Sequence, residues 1–335
     1  MINKDKAGMQ RITGRVFRAA AACMLLAAMM GSALAQSYPA RPVRLVVGFP
    51  SGTGPDLVAR LVAQKLQEST GQGFVVDNKT GAAGLIAARE AAKAPPDGYT
   101  LFLGTVGEMA ISPSAYSRLG FDPVKDFAAV SHVVTSDFAF VVPASTPAKN
   151  LKEYVDWGKA QKSLFMGTFG AGTPGHFGVA ILADATGLKA EPVHYKNTGD
   201  AMSGIIAGDT QGLFGTLALV SSHVKGGKLR ALATTGAERS TMLPDVPTAK
   251  EQGYPSVEFG AWFGIYAPAK TPNDILEKLN GEIVKAMQAP DVREKLQGVG
   301  FRVVGSSRQE FDRLLKEDIP RWEKVVKATG FKAQE

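Results

Sequence analysis

The chain has 335 residues, 45% of them hydrophobic, which is enough for two globular domains. Its formal net charge of +7 comes from 38 Lys+Arg against 31 Asp+Glu, and a single cysteine, Cys23, excludes a disulfide framework. Much of the basic excess lies at the start. Lys4, Lys6, Arg11, Arg15 and Arg18 precede an apolar run over 19–30, and Ala33-Leu34-Ala35 is the small-x-small pattern that a signal peptidase cuts after.

These features predict a secretory signal over 1–35, cleaved after Ala35, and a periplasmic mature protein. A single-span anchor is the alternative, but a bilayer needs about 20 apolar residues and this run is shorter. Without the leader the chain carries 33 basic and 30 acidic residues, dispersed along its length. That speaks against a nucleic-acid partner. Cys23 leaves with the leader, so no thiol, disulfide or thiolate metal site remains.

The first turn of the body is the most informative stretch. Val43 to Val47 reads as a buried strand, Leu57 to Leu66 as an amphipathic helix, and Gly48-Phe49-Pro50-Ser51-Gly52-Thr53-Gly54-Pro55-Asp56 joins them. Glycines let backbone N–H groups approach a guest, Pro55 suits the first helical position, and a helix start carries unpaired N–H groups at a positive dipole end. Such a turn suits a carboxylate.

Strand-like and helix-like segments then alternate. Phe74 to Asp77, a helix over Ala82 to Ala92, and Thr100 to Leu103 follow, with turn signals at 78–81 and 95–98. Two apolar runs, Ala128 to Val134 and Phe138 to Val142, stand close together, the second read as a crossing strand. A second series has a helix over Leu151 to Gln161, strand Leu164 to Thr168, helix Thr173 to Ala185, strand Glu191 to His194, helix Ala201 to Ala207, and strands Gly212 to Phe214 and Leu229 to Thr234. Ser240 to Pro255 reads as irregular. The end is helical, with periodic apolar residues from Ile275 to Met287 and from Phe311 to Val326, and Pro320 expected to kink or break the last helix.

This alternation predicts an α/β protein of two lobes, each a mostly parallel sheet flanked by helices. Lobe 1 would be discontinuous, 36–142 with 255–335, and lobe 2 would be 143–254. Ligands of open α/β sheets bind outside the carboxyl ends of the strands. The turns at 49–56, 78–84, 104–109, 168–176, 196–200 and 215–217 are therefore the candidate site, and their Gly, Ser and Thr suit a small anion.

Catalytic and cofactor readings fare less well. Gly170-Ala171-Gly172-Thr173-Pro174-Gly175 matches G-x-G-x-x-G between a strand and a helix, but no acidic strand end lies near 20 residues onward. No Walker A motif or G-x-S-x-G elbow occurs. The four histidines lack a metal-ligand spacing; His132 and His194 read as structural, while His176 opens a helix at a candidate turn. Asp56 reads as a brace for its turn or a dipole partner. Trp262 is a candidate to line the hinge or the cleft. No cofactor, metal or catalytic residue is predicted.

The leader, Tyr38-Pro-x-Arg-Pro-Val-Arg-Leu-Val-Val, Phe49-Pro-Ser-Gly-Thr-Gly-Pro-Asp56 and Val76-Asp-Asn-Lys-Thr-Gly-Ala-Ala-Gly84 resemble the Bug receptors, the extracytoplasmic solute-binding proteins of tripartite tricarboxylate transporters. So do Pro96-Asp-Gly-Tyr-Thr-Leu101, Gly170-x-Gly-Thr-x-x-His176, His194-Tyr-Lys196, Gly227-Lys-Leu-Arg-Ala-Leu-Ala233 and Leu243-Pro-Asp-Val-Pro-Thr248. The resemblance spans nearly the whole mature chain. It implies a type II periplasmic binding protein, or Venus flytrap, that closes on a small carboxylate solute without chemistry and passes it to membrane permease subunits, as a monomer.

By position it nominates Phe49, Ser51, Gly52, Thr53 and Asp56, then Gly81, Thr105 and Gly107, and from lobe 2 Thr168, Gly170, Thr173 and His176. Departures from the family pattern stand at Gly52-Thr53 in place of Gly-Gly, at Gly107-Glu108 in place of Ser-Thr, and at Gly215 in place of an acid. Glu108 is added to the candidates as a residue facing a donor group on the guest, with a solvated helix-start carboxylate as the alternative. A sensor that presents its ligand to a signalling partner, and a secreted α/β enzyme acting on a small acid, remain alternatives.

Overall fold

The computed structural model describes residues 38–195 and 198–333. The leader, its cleavage point, Lys196 and Asn197 lie outside the described residues. The chain enters β1 (Val43–Val47), turns into α1 (Gly54–Thr70), and continues through β2 (Phe74–Asn78), α2 (Leu85–Ala92) and β3 (Thr100–Thr105). β1 pairs parallel with both β2 and β3. Their residues are mostly apolar, Arg44, Asp77 and Asn78 apart, and β3 is buried throughout, as expected of a parallel strand covered on both faces.

Two single turns, a π turn at Gly107–Ile111 and a helical turn at Ser112–Ala115, precede β4 (Phe127–Pro143). The two apolar runs are one strand. Thr135, Ser136 and Asp137 look like a break in the sequence, yet they stay extended because they are still paired with the strand Gly260–Pro268. As far as Asp137, β4 pairs antiparallel with β9 (Gly260–Pro268); from Phe138 onward it pairs antiparallel with β7 (Gly212–Thr216) and β8 (Leu229–Thr234).

The second half adds α3 (Leu151–Lys159), β5 (Leu164–Thr168), α4 (Pro174–Thr186), β6 (Ala190–His194), α5 (Thr198–Ala207) and α6 (Leu217–Lys225). Here β5 pairs parallel with β6 and β7. After β9 come α7 (Asn273–Gln288), α8 (Pro290–Gly298), β10 (Phe301–Val303), which pairs antiparallel with β4, and α9 (Arg308–Thr329). Each half is thus three parallel strands completed by antiparallel strands that share β4. The architecture is α/β and two-lobed.

Pro320 does not break α9. The carbonyl that its missing N–H leaves without a helical donor belongs to Lys316, an exposed residue. A capping box at Ser307 and Glu310 starts the helix, a device that contributes about 1 kcal/mol. Its ring side chains then reach both halves. Phe311 packs on Tyr266 and Trp262 of β9, and Trp322 packs on Phe177 of α4 and on Phe259.

Candidate functional site

Pairing direction decides where the turns fall. β3 runs antiparallel to β9 and β9 antiparallel to β4, so β3 points the same way as β4; β7 runs antiparallel to β4 and points back. The carboxyl ends of the parallel strands in the two halves therefore face each other. Thr105 at the end of β3 is level, through Phe263, with Val134; Thr216 at the end of β7 is level with Phe138. At the usual rise per strand residue these ends are about 13 Å apart along β4.

The turn between β1 and α1 is held from beneath. Asp56 is buried, and its Oδ2 accepts from the Gly52 N–H and from Arg60 Nε, both at 2.9 Å, with Ser51 Oγ at 3.4 Å. Its Oδ1 accepts from Asn78 Nδ2 at 2.9 Å, and the same amide donates to the Phe49 carbonyl at 2.9 Å. Burial alone would push this carboxyl up, but the bonds from Arg60, Gly52 and Asn78 outweigh it and hold it at about 2. Asp56 is an ionised brace with its acceptors engaged inside the turn. Gly52, at φ +83°, occupies a conformation that glycine adopts without strain.

The two facing helix starts differ. Thr53 gives α1 no side-chain cap; its hydroxyl donates to the Pro50 carbonyl at 2.7 Å. Pro55 has no N–H to offer, so the Gly54 and Asp56 amides are the first-turn donors left without a capping side chain. Thr173 does cap α4: its oxygen accepts from the His176 N–H at 3.3 Å while its hydroxyl donates to the Gly170 carbonyl at 2.9 Å.

β3 and β5 end alike. Thr105 Oγ1 accepts from the Gly107 N–H at 3.2 Å, and Thr168 Oγ1 accepts from the Gly170 N–H at 3.4 Å. Both threonines are buried. Thr168 also pairs with His194 Nδ1 at 2.7 Å, a contact the sequence did not announce. His176 is buried; the Gly172 N–H donates to its Nδ1 at 3.1 Å, which fixes the ring proton on Nε2. Burial, helped by nearby His194, pushes its pKa down to about 4, so the ring is neutral at physiological pH. The sequence also missed Phe331, whose ring sits 5.6 Å from that of His176 and fills the space a Cβ on Gly172 would need.

Glu108 is neither solvated nor at a helix surface: it is fully buried. Its Oε2 accepts both the Thr105 N–H, at 3.0 Å, and the Thr105 hydroxyl. Its Oε1 has no hydrogen-bond partner. The Gly81 to Gly84 turn also departs from expectation, since Ala82 and Ala83 take positive φ and α2 begins only at Leu85. Gly215 is enforced by packing, because a Cβ there would lie 2.4 Å from Val220 Cγ1. Trp262 is buried in β9 and donates to Asp318 Oδ2 at 2.6 Å, and His132 is buried with Nε2 bonded to the Val134 carbonyl and to Thr135. Ser51, Gly52 and Gly81 are exposed, whereas Phe49, Thr53, Gly107, Gly170 and Thr173 are half-buried. Among the described residues no cluster of His, Cys, Asp or Glu could hold a metal ion, and no helix is long and apolar enough to cross a membrane.

The tripartite tricarboxylate transporter family receptor model matches residues 58–331. The chain belongs to that family. It is 32% identical over 304 residues to the protein BugT of Bordetella pertussis, covering 89% of this chain and 92% of the relative. Among solved structures it is similar to an R. palustris protein with adipate, at 33% identity and TM-score 0.75, covering 88% of this chain and 99% of that one. It is also similar to MatC from Rhodopseudomonas palustris with bound malate, at 30% identity and TM-score 0.71, covering 86% and 100%. The receptor is a periplasmic solute-binding protein, not an enzyme. The G-x-G-x-x-G match is then a packing feature: Gly175 lets α4 approach β7, since a Cβ there would lie 2.9 Å from the Phe214 carbonyl oxygen.

Proposed function

We propose that the receptor captures a small carboxylate in the cleft between its lobes and delivers it to the membrane permease subunits of a tripartite transporter. The observation that carries this reading is the start of α1, an uncapped helix N-terminus aimed at the opposite half and held open from below by Asp56, Arg60 and Asn78. Unpaired amides at a positive dipole end favour an anion. The adipate and malate bound to similar proteins support a carboxylate as that anion.

In this reading the guest lies against Phe49, Ser51, Gly52 and Thr53, with Gly81, Thr105 and Gly107 on the same side, and Thr168, Gly170, Thr173 and His176 close from the other. Asp56 shapes the turn, and Glu108 acts from beneath it. The neutral His176 would offer Nε2–H as a donor. The lobes follow 36–142 with 255–335 and 143–254, except that 138–142, which pair with β7 and β8, go with lobe 2, and the partner switch on β4 between Asp137 and Phe138 is the hinge. Contacts from lobe 2 available only after closing would supply the differential affinity that closure requires. The mature protein begins after Ala35 and acts as a monomer.

Thermal-shift measurement against a carboxylate library tests the proposal. A guest at 100 times its Kd should add roughly 2.7 kcal/mol of stability. If no carboxylate, adipate and malate included, shifts the transition, the reading falls; turnover of any of them to product would replace it with an enzymatic one.

A further inference from the structure

The glutamate beneath the lobe-1 turns has an unusual setting. Its Oε1 lies in a notch between the ends of β1 and of the turn before α2: a Cβ on Gly84 would fall 2.2 Å from it, and one on Gly48 would fall 3.1 Å from it and 2.6 Å from Gly84 Cα. Oε2 is tied to Thr105 at the end of β3. The side chain thus occupies the junction of the three turns nominated to hold the guest, with one oxygen unpartnered and the residue wholly shielded from solvent.

No cation answers this carboxylate. The surrounding segments of sequence, Gly81 to Gly84, Thr100 to Thr105 and Ser112 to Ala115, contain no titratable residue. From β9 the facing titratable group is Tyr266, a buried phenol that burial, Glu108, Asp318 and Asp312 all push up; the last two are contributed by α9. On α1, Asp56 is already paired with Arg60. Burial, only partly opposed by Thr105 and by its own backbone N–H, accordingly pushes Glu108 up to about 7. An acid in an apolar setting kept neutral until an anion needs it is a known device of pKa tuning.

We infer that carboxylate capture by this receptor is coupled to proton uptake at Glu108, the protonated side chain being the form that tolerates an anion on the turns above it. This rests on the carboxylate reading of the preceding subsection and names the regulation of that same site. An ionised Glu108 would place an uncompensated negative charge beneath the amides that receive the guest, and a bound anion would in turn hold the proton on Glu108 more tightly. Linkage then requires affinity to fall as pH rises through the range where the free receptor loses that proton. The unpartnered Oε1, once protonated, becomes a hydroxyl donor at the floor of the site.

Isothermal titration of adipate and malate into the full mature receptor at pH 6.5 and 8.5, each in two buffers of different ionisation enthalpy, tests the coupling. Both guests are ionised across this range, and His176, pushed down to about 4 by burial and nearby His194, stays neutral; burial pushes His194 down as well. The expected result is a Kd roughly fivefold or more weaker at pH 8.5, with net proton uptake near neutrality. Glu108→Gln should bind at both pH values with the affinity the native receptor shows at pH 6.5, without proton uptake. Binding by the native receptor that is independent of pH and takes up no proton would overturn the coupling while leaving carboxylate capture intact. A Glu108→Gln variant that keeps the native pH dependence would overturn the assignment to Glu108. If neither guest nor any other carboxylate binds at either pH, the parent reading falls and takes this one with it.

Discussion

Asn78 and Asp56 are joined by a 2.9 Å hydrogen bond that ties the end of β2 to the first turn of α1, and the same Asn78 amide reaches the Phe49 carbonyl. One side chain therefore sets the spacing of two turns of the candidate site. Asn78→Ala should cost about 1–3 kcal/mol of stability, because it leaves a buried carboxylate oxygen and a carbonyl short of a donor. It should also weaken carboxylate binding. Urea unfolding and calorimetry check both; a variant as stable as the native protein would remove Asn78 as a brace.

Asp56 gives the site a signature at low pH. Its folded pKa of about 2 lies below the usual 3.8, so its stabilising contribution is complete above about pH 4 and is lost as pH falls toward 2. Arg60 is half exposed, which reduces the contribution to ~1–2 kcal/mol. Stability curves of the native protein and of Asp56→Asn should therefore stand apart above pH 4 and converge as pH falls through 2. Parallel curves would contradict the brace.

Glu108 has the opposite sign. A carboxyl whose folded value is about 7 against an ordinary 4.5 binds more protons folded than unfolded, so it subtracts stability progressively as pH rises across that interval. Glu108→Gln should gain on the native protein from pH 5 to pH 8, by roughly 3 kcal/mol at most, and the gain should level off beyond. Thermal denaturation across that range is the measurement.

The periodic signals in the sequence located most of the frame. β1, β5 and β8 have the predicted limits, and the direct alternation of strands and helices led to two parallel-sheet units. What it did not disclose was β9. Gly260 and Gly264 interrupt its apolar run and weaken the strand signal, yet both are demanded by close approach: a Cβ on Gly264 would meet Phe311 at 1.9 Å, and one on Gly260 would meet Thr135 at 2.6 Å. These neighbours lie 47 and 125 positions away, and no local pattern encodes them. The burial of Glu108 was hidden for the same reason. Nothing near it in sequence tells that Gly48 and Gly84 fold over it.

Gly264→Ala should accordingly destabilise by about 1–3 kcal/mol or more, as overpacked cores do. Combining it with Phe311→Leu should cost less than the sum of the two single changes. Chemical denaturation of the four proteins gives the coupling, and simple additivity would mean that the ring does not crowd the strand.

The Trp262 to Asp318 bond has an optical readout. Asp318→Ala strands a buried indole N–H, at an expected cost of about 1–3 kcal/mol, and should shift the tryptophan emission, while Asp318→Asn retains an acceptor and should recover much of the loss. Unchanged emission in both variants would rule the bond out.

The placement of β9 between β3 and β4 carries a consequence for how the protein comes into being. Thr105 must wait for Phe263 before its strand finds a neighbour on that flank, and the first half of β4 waits for the same segment. A polypeptide threaded out from its N-terminus therefore presents two unsatisfied apolar edges until its last quarter arrives, the kind of surface that recruits wrong partners. Truncation after the first crossing should yield a sticky fragment instead of a free-standing lobe, and maturation of this receptor is tied to completed delivery of the whole chain.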